Sequence, residues 1–291
     1  MRAVIDIGTN SVLLLVGRRV DGRVIVERDE ARITRLGHAV AERGRLDAEA
    51  VQRTLAVLAE YRELAAAAGA EVEAVATEGL RMASDRLMFL ADANETLGAE
   101  VRMISGDEEA RLSYLSVARE HPGGPLRVLD IGGGSTELVV GDGERIDSQR
   151  SHAIGSVRLT ERCVRSDPPS TEEIQAIEEA AREVFRAQPV EPHPELHGLA
   201  GTVTTAAALM LELTRYDREA VDGKRFGRKE VVALRDRLAG QSLEARTRAP
   251  ILPRGRADVI VAGLTILDVA LEHCGAKTLV VRDRGLRYAL L

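Results

Sequence analysis

The sequence predicts a duplicated α/β fold with a cleft between its two halves. The first observation is a repeated phrase. Residues 3–17 read AVIDIGTNSVLLLVG and residues 127–141 read RVLDIGGGSTELVVG. They align without a gap at an offset of 124 residues (130 − 6), which matches Asp6 with Asp130, Gly8 with Gly132 and Ser11 with Ser135. Each copy is an apolar strand, an Asp near its end, a turn containing Gly, a Ser and a returning strand. The second observation is that each copy is followed by the same succession: a third hairpin strand, then alternating helix and strand.

In order, residues 2–7, 12–18 and 23–30 read as strands, with the turn Asp21-Gly22 between the last two. Asp47 has the character of an N-cap. Val51, Leu55, Leu58, Arg62 and Ala65 then fall at helical spacing, and Gly69 closes the helix. Val72–Ala76 is a strand. A helix carrying Arg81 follows to about Thr96, then a strand at Val101–Ile104 and a helix from Ser105 to about Glu120. His121-Pro122-Gly123-Gly124-Pro125 is the clearest breaker in the chain. It divides residues 1–121 from 122–291. The second half restarts with strands at 126–131, 136–141 and 144–150, then a helix from Ser170 or Thr171 to about Ala187. A proline-containing loop leads to a strand through Gly198–Ala200 that enters Gly201-Thr202. Helices are expected at 203–214, 228–239 and 255–273 and a strand at Val280–Val281. A final helix at 284–291 is placed to cross back to the first domain.

Composition narrows the function. The 291 residues carry a formal net charge of −6, which argues against a broad nucleic-acid footprint. Any phosphate must then be held locally, by metal, backbone N–H groups and placed arginines. Aromatics make up 2% of the chain and Trp is absent, so stacking platforms for bases are scarce. Cys163 and Cys274 form no Cys-x-x-Cys and read as reduced core residues. No apolar run reaches membrane-spanning length and the sequence starts directly with a strand, so the expected setting is cytoplasmic, without membrane contact.

The candidate site follows from the repeat. Gly132, Gly133 and Gly134 can form a turn whose N–H groups converge on an anion, with the Ser135 hydroxyl beside them. Thr9, Asn10 and Ser11 offer the same in the first copy. Asp6 and Asp130 end buried-looking strands, and Glu137 sits on the returning strand where it can point back to its tip. Hard oxygen ligands beside phosphate suit Mg²⁺. Ser105 and Glu108 have the spacing of a capping box, so Glu109, about 100° further round the helix, is not needed for the cap. Arg81, early in a helix, can brace a terminal phosphate; Arg158 follows Gly155-Ser156 similarly. Gly201-Thr202 stands just before the helix expected from Val203. Two features carry only a bland reading: His193-x-x-x-His197 as loop, and the KRFGRK run at 224–229 as a solvated turn.

Six segments together resemble the exopolyphosphatase and guanosine pentaphosphate phosphatase family. They are Ile5–Ser11, Ala76–Arg81, Ser105–Leu112, Asp130–Glu137, Gly155–Thr160 and Gly201–Thr205. The run S-G-x-E-E-A-R-L with D-I-G-G-G-S-T-E downstream is the most specific part. The resemblance implies duplicated ribonuclease H-like domains of the actin, hexokinase and Hsp70 type. It implies Glu109 as general base and Asp130 and Glu137 as carboxylates for metal and water, with Asp6 added to the metal set and Mg²⁺ or Mn²⁺ as the ion. It also implies a phosphate-contact turn at Gly201-Thr202. The implied substrate is inorganic polyphosphate cut from its end, with guanosine pentaphosphate or tetraphosphate as the alternative ligand, and the implied assembly is a homodimer. Family members often have Ser or Thr in place of Glu78, and an aromatic or His in place of Val12 or Leu13. Two rival readings use the same fold: a small-molecule kinase, and a sensor that binds polyphosphate or a guanosine polyphosphate without catalysis.

Overall fold

A computed structural model describes residues 1–121 and 123–291, so Pro122 of the breaker lies outside the described residues. The chain divides into two compact units, one of Met1–Leu112 with Leu286–Leu291, the other of Ser113–Gly285.

The first unit contains β1 (Arg2–Ile7), β2 (Ser11–Val20), β3 (Arg23–Ile33), α1 (Val40–Arg43), α2 (Ala48–Ala67), β4 (Glu71–Ala76), α3 (Glu78–Arg81), α4 (Arg86–Leu97), β5 (Val101–Met103) and the start of α5 (Gly106–Ala118). Its sheet runs β3-β2-β1-β4-β5, antiparallel through the hairpins and parallel from β1 to β4 and β5. Side chains alternate across a strand. Ala3, Ile5 and Ile7 accordingly enter a core with Leu58, Tyr61 and Phe89. Val4 faces the other way, against Leu15, Tyr288 and Leu291.

The second unit holds β6 (Pro125–Ile131), β7 (Thr136–Asp142), β8 (Arg145–His152), α6 (Ser156–Cys163), α7 (Thr171–Arg186), β9 (Glu195–Leu199), α8 (Ala200–Met210), α9 (Arg218–Val221), β10 (Arg225–Gly227), α10 (Arg228–Ala239), α11 (Leu243–Arg246), α12 (Arg254–Ala257), α13 (Ile260–His273) and β11 (Thr278–Val281). Its sheet runs β10-β11-β9-β6-β7-β8. The last helix, α14 (Arg287–Leu290), packs with the first unit's sheet. The duplication extends to irregularities. Both hairpins carry a register shift at the same place, Val16/Gly17 in β2 and Val140/Gly141 in β7. A Cβ at either glycine would run into the backbone carbonyl of the neighbouring strand, Ile25 or Arg145.

The structure differs from the sequence expectations in places. The units part inside α5, between Leu112 and Ser113, rather than at the breaker. The cause is that the second half of α5 is bonded into the second unit: Ser113 Oγ donates to Asp130, Tyr114 to the Gly143 carbonyl and Ser116 to the Arg284 carbonyl. The single helix expected through Arg81 to Thr96 is two, α3 and α4. The break serves tertiary contacts: Ser84 donates through N and Oγ to the Gly44 carbonyl, and Asp85 accepts the Leu46 N–H. Likewise the helix expected at 255–273 is α12 and α13. Gly201-Thr202 lies inside the first turn of α8, which begins at Ala200 with φ 66°. Helix α6 escaped the sequence reading. His197 is in strand β9 rather than in a loop, and the KRFGRK run contains β10 and opens α10. Its arginines are held: Arg225 by Glu195 and Arg228 by Asp268 and Glu272.

Candidate active site

The two tips close in the same way. Gly8 N–H donates to the Ser11 carbonyl and Gly132 N–H to the Ser135 carbonyl, both at 3.0 Å. Each tip then anchors the segment that follows its hairpin. In the first copy the Asn10 carbonyl accepts from Thr34 and Arg35 N–H and the Thr9 carbonyl from Gly37 N–H. In the second, the Gly132 carbonyl accepts from Ser156 N–H, and the Gly133 carbonyl from Val157 and Arg158 N–H. The second tip thus receives the N-terminus of α6, and this places Arg158 in that helix's first turn. Glycine is required at both seats. A Cβ on Gly79 would stand 2.6 Å from Thr9 Oγ1, and one on Gly155 would stand 2.7 Å from Gly134 N.

Thr9, Asn10 and Ser135 are buried. Ser11 Oγ is buried with no hydrogen-bond partner among the described residues, a hydroxyl available to an incoming oxyanion.

Asp130 and Glu137 stand directly opposite each other in the β6–β7 ladder. Directly opposed residues project to the same face, so two carboxylates share one spot beside the glycine tip. Glu137 is 1% exposed. Each carboxylate accepts one serine hydroxyl at 2.6 Å, Asp130 from Ser113 and Glu137 from Ser151. Burial pushes the Asp130 carboxyl above its usual value, and the Ser113 hydrogen bond opposes that shift only in part. A desolvated carboxylate beside a second one favours a bound cation. The donor set is all hard oxygen, which fits Mg²⁺ or Mn²⁺. Among the described residues no three or more His, Cys, Asp or Glu are gathered for a metal ion. The opposed pair stands as the candidate centre within the second unit, and Asp6 belongs to the first.

In the first unit, Glu109 is buried on α5 while its neighbour Glu108 is half-exposed. Glu108 N–H donates to Ser105 Oγ at 3.1 Å, and the Glu108 carboxylate pairs with Arg102. Glu108 thus has a local structural role that Glu109 does not share. Arg81 is not an open surface residue. Glu78 Oε2 accepts from its Nη2 at 2.6 Å and its Nε at 3.1 Å, and the Ile104 carbonyl accepts from its Nη1 at 2.5 Å. Glu109 Oε2 lies 3.6 Å from Arg81 Nη1.

Sequence reasoning missed Arg256. Its half-buried guanidinium lies against Gly201 so closely that any Cβ there would overlap it. Burial pulls its pKa below the usual arginine value, with Tyr216 and Asp258 acting the other way. A desolvated cation at the first turn of α8 adds a positive charge to the Gly201-Thr202 contact. The signal in the sequence was one Arg among many, and only the fold sets it against Gly201.

The chain is similar to known phosphatases. A family model described as Ppx/GppA phosphatase family matches residues 15–291. Exopolyphosphatase 2 of Mycobacterium tuberculosis is 38% identical over 304 residues, covering 98% of this chain and 95% of that protein. The crystal structure of the Aquifex aeolicus Ppx/GppA family member superimposes with a TM-score of 0.83 at 36% identity, covering 99% of this chain and 95% of the other. A solved exopolyphosphatase-like protein gives 0.92 at 30% identity, covering 99% and 96%.

Proposed function

The chain belongs to the Ppx/GppA phosphatase family, and we propose that it is a metal-dependent exopolyphosphatase that releases orthophosphate from the end of inorganic polyphosphate. The observation that carries the reading is the opposed pair Asp130 and Glu137 at a glycine tip. Mg²⁺ or Mn²⁺ held by that pair would neutralise charge on the terminal phosphate. Glu109 orients and deprotonates the attacking water. Thr9, Asn10, Ser11 and the Gly132–Ser135 turn take up phosphoryl oxygens, and Arg81, Arg158, Arg256 and Gly201-Thr202 add positive charge and N–H donors as charge spreads in the transition state. Asp6 supports its own tip. The reading assumes a cytoplasmic homodimer. Among the described residues no helix is long and apolar enough to cross a membrane.

Guanosine pentaphosphate offers the same terminal anhydride. The shortage of aromatic side chains, 2% with no Trp, favours the substrate without a base to stack. A kinase or a pure sensor would have no use for a buried carboxylate base at Glu109. The test is phosphate release from polyphosphate and from guanosine pentaphosphate, side by side, with Mg²⁺ and with chelator. We expect release from polyphosphate that chelator abolishes. Glu109→Gln should keep substrate affinity and lose about 10²–10⁴-fold in turnover; turnover above a tenth of the parent would falsify the base assignment.

A further inference from the structure

We infer that Glu78 is a positioning residue for this reaction: it clamps one edge of the Arg81 guanidinium and leaves one N–H on each terminal nitrogen for a phosphate. The inference rests on the reading of Arg81 as a phosphate contact.

Glu78 and Arg81 are the first and last residues of the four-residue helix α3. That spacing places them on one face. The helix is fixed in place because Gly79 is packed against Thr9 of the first tip. Arginine has five N–H donors in a rigid fork. Three are committed here: Nε and one on Nη2 to Glu78 Oε2, and one on Nη1 to the Ile104 carbonyl. The two that remain are one on each Nη, which is the set a bidentate grip on two phosphoryl oxygens uses. The side chains of Glu78 and Arg81 are 18% and 21% exposed, so the clamp is partly shielded from water and stronger than a surface pair.

Glu109 gives the clamp a second consequence. Its Oε2 is 3.6 Å from Arg81 Nη1, an ion pair outside hydrogen-bond range. A guanidinium freed from Glu78 has an obvious alternative partner in that carboxylate. Closing onto it would occupy the base and turn the N–H pair away from the phosphate. Glu78 therefore holds Arg81 at ion-pair distance from Glu109 without a hydrogen bond between the two. A purely structural ion pair would not have that property.

The experiment is a double-mutant cycle on polyphosphate hydrolysis, measuring kcat, KM and Tm for Glu78→Ala, Glu78→Gln, Arg81→Ala and the Glu78→Ala/Arg81→Ala double variant. We expect Glu78→Ala to lose about 10–100-fold in kcat/KM, mostly in kcat, as misplacing a catalytic group does. Glu78→Gln keeps the accepting oxygen and should recover most of that loss. In the Arg81→Ala background, Glu78→Ala should cost less than about twofold, because two residues acting as a unit are not additive. A full-sized cost of Glu78→Ala in that background, or no cost in the parent, overturns the inference. If Arg81→Ala itself hydrolyses polyphosphate normally, the phosphate-contact reading has failed instead. Should Glu78→Ala not fold, Glu78→Asp, which keeps the charge but stops short of the guanidinium, takes its place in the cycle.

Discussion

The two tips share a backbone and differ in charge. In the first, Asp6 stands opposite Leu13; in the second, the equivalent pair is Asp130 and Glu137. What covers each carboxylate differs as well. Asp6 shares the face of Val4, where the terminal helix brings the buried guanidinium of Arg287. Burial opposes the charge on Arg287, yet Asp29, with smaller contributions from Tyr288 and Asp6, more than offsets it and raises its pKa. Asp130 and Glu137 are met by serine hydroxyls instead. The two copies close in equal turns, and differences at two places make them unequal. A leucine and an arginine leave the first tip charge-compensated. A glutamate gives the second tip two opposed carboxylates, each accepting a serine hydroxyl. On the proposed function, this contrast gives the metal to the second tip and phosphoryl oxygens alone to the first.

The sharpest way to break that assignment is to neutralise each carboxylate in turn. Asp130→Asn and Glu137→Gln should each lower turnover by about 10²–10⁴-fold and displace the Mg²⁺ titration to higher concentration. Asp6→Asn should leave the titration midpoint in place and cost about tenfold or less in rate. A metal titration that moves as far for Asp6→Asn as for Asp130→Asn would put the ion on both tips and end the contrast.

Much of this difference is legible in the amino-acid sequence. The gapless repeat pairs Asp6 with Asp130 and shows Leu13 where the second copy has Glu137. Period-two alternation allows Glu137 to face back to its tip, and the strand register sets it opposite Asp130. Glu109 can be separated from Glu108 because a capping residue has a fixed spacing. The partners that set the charge are not legible. Arg287 lies more than 250 residues from Asp6 in sequence, and Ser113 reaches Asp130 only because α5 runs on into the second unit. Such contacts are set by packing of distant elements, which no local pattern encodes. The same holds for Arg256 against Gly201, and for the clamp on Arg81, whose Ile104 contact depends on where β5 ends. Helix α6 is hidden because its N-terminal N–H groups are satisfied by tip carbonyls rather than by a side-chain cap. The broken helices are hidden because their breaks serve tertiary hydrogen bonds.

Arg287 offers a way to sharpen the comparison through stability rather than rate. Its Nη1 donates to the Leu14 carbonyl and to Asp29 Oδ1, both at 2.7 Å, and Tyr288 donates to Asp29 Oδ2 at 2.8 Å. Arg287→Met keeps the volume and leaves the half-buried Asp29 with one partner fewer. Breaking a fully buried pair on one side costs about 3–5 kcal/mol; this pair, with Asp29 half-buried and still bonded to Tyr288, should lose less, read as a lower denaturant midpoint of the first unit. The double variant Arg287→Met/Asp29→Asn should regain part of it, because the carboxylate that lost its cation is then neutral. If Arg287→Met is neutral, the terminal helix does not compensate the first tip, and the charge contrast loses its first half.

The smallest expected effect distinguishes the units by acid. Five of the six histidines, His121, His152, His193, His197 and His273, lie in the second unit. Burial lowers the pKa of His121 and His152, and it pulls His197 down to about 3, helped by Arg282 and His121. His197 Nδ1 accepts a hydrogen bond from Arg282 Nε at 3.2 Å. Protonation there would replace an acceptor with a donor facing a guanidinium. The unfolded chain takes up these protons near pH 6.5 and the folded unit resists them. The stability these neutral rings contribute is therefore intact above about pH 6.5 and falls as pH drops towards the folded pKa values. At pH 5 His197, held neutral in the folded unit, would cost about 2 kcal/mol. The raised pKa of Asp130 has the opposite sign and offsets part of the loss once pH falls towards the ordinary carboxylate range. Hydrogen exchange followed from pH 7.5 to 5 should show protection falling first in β6, β9 and β11, since His197 sits in β9 directly between its partners in those strands. His197→Asn retains an oxygen to accept from Arg282 and should flatten the pH dependence of the second unit while leaving β1–β4 unchanged. Equal loss of protection in both units, or an unaltered slope in His197→Asn, would show that acid acts through groups common to both copies rather than through the histidines of one.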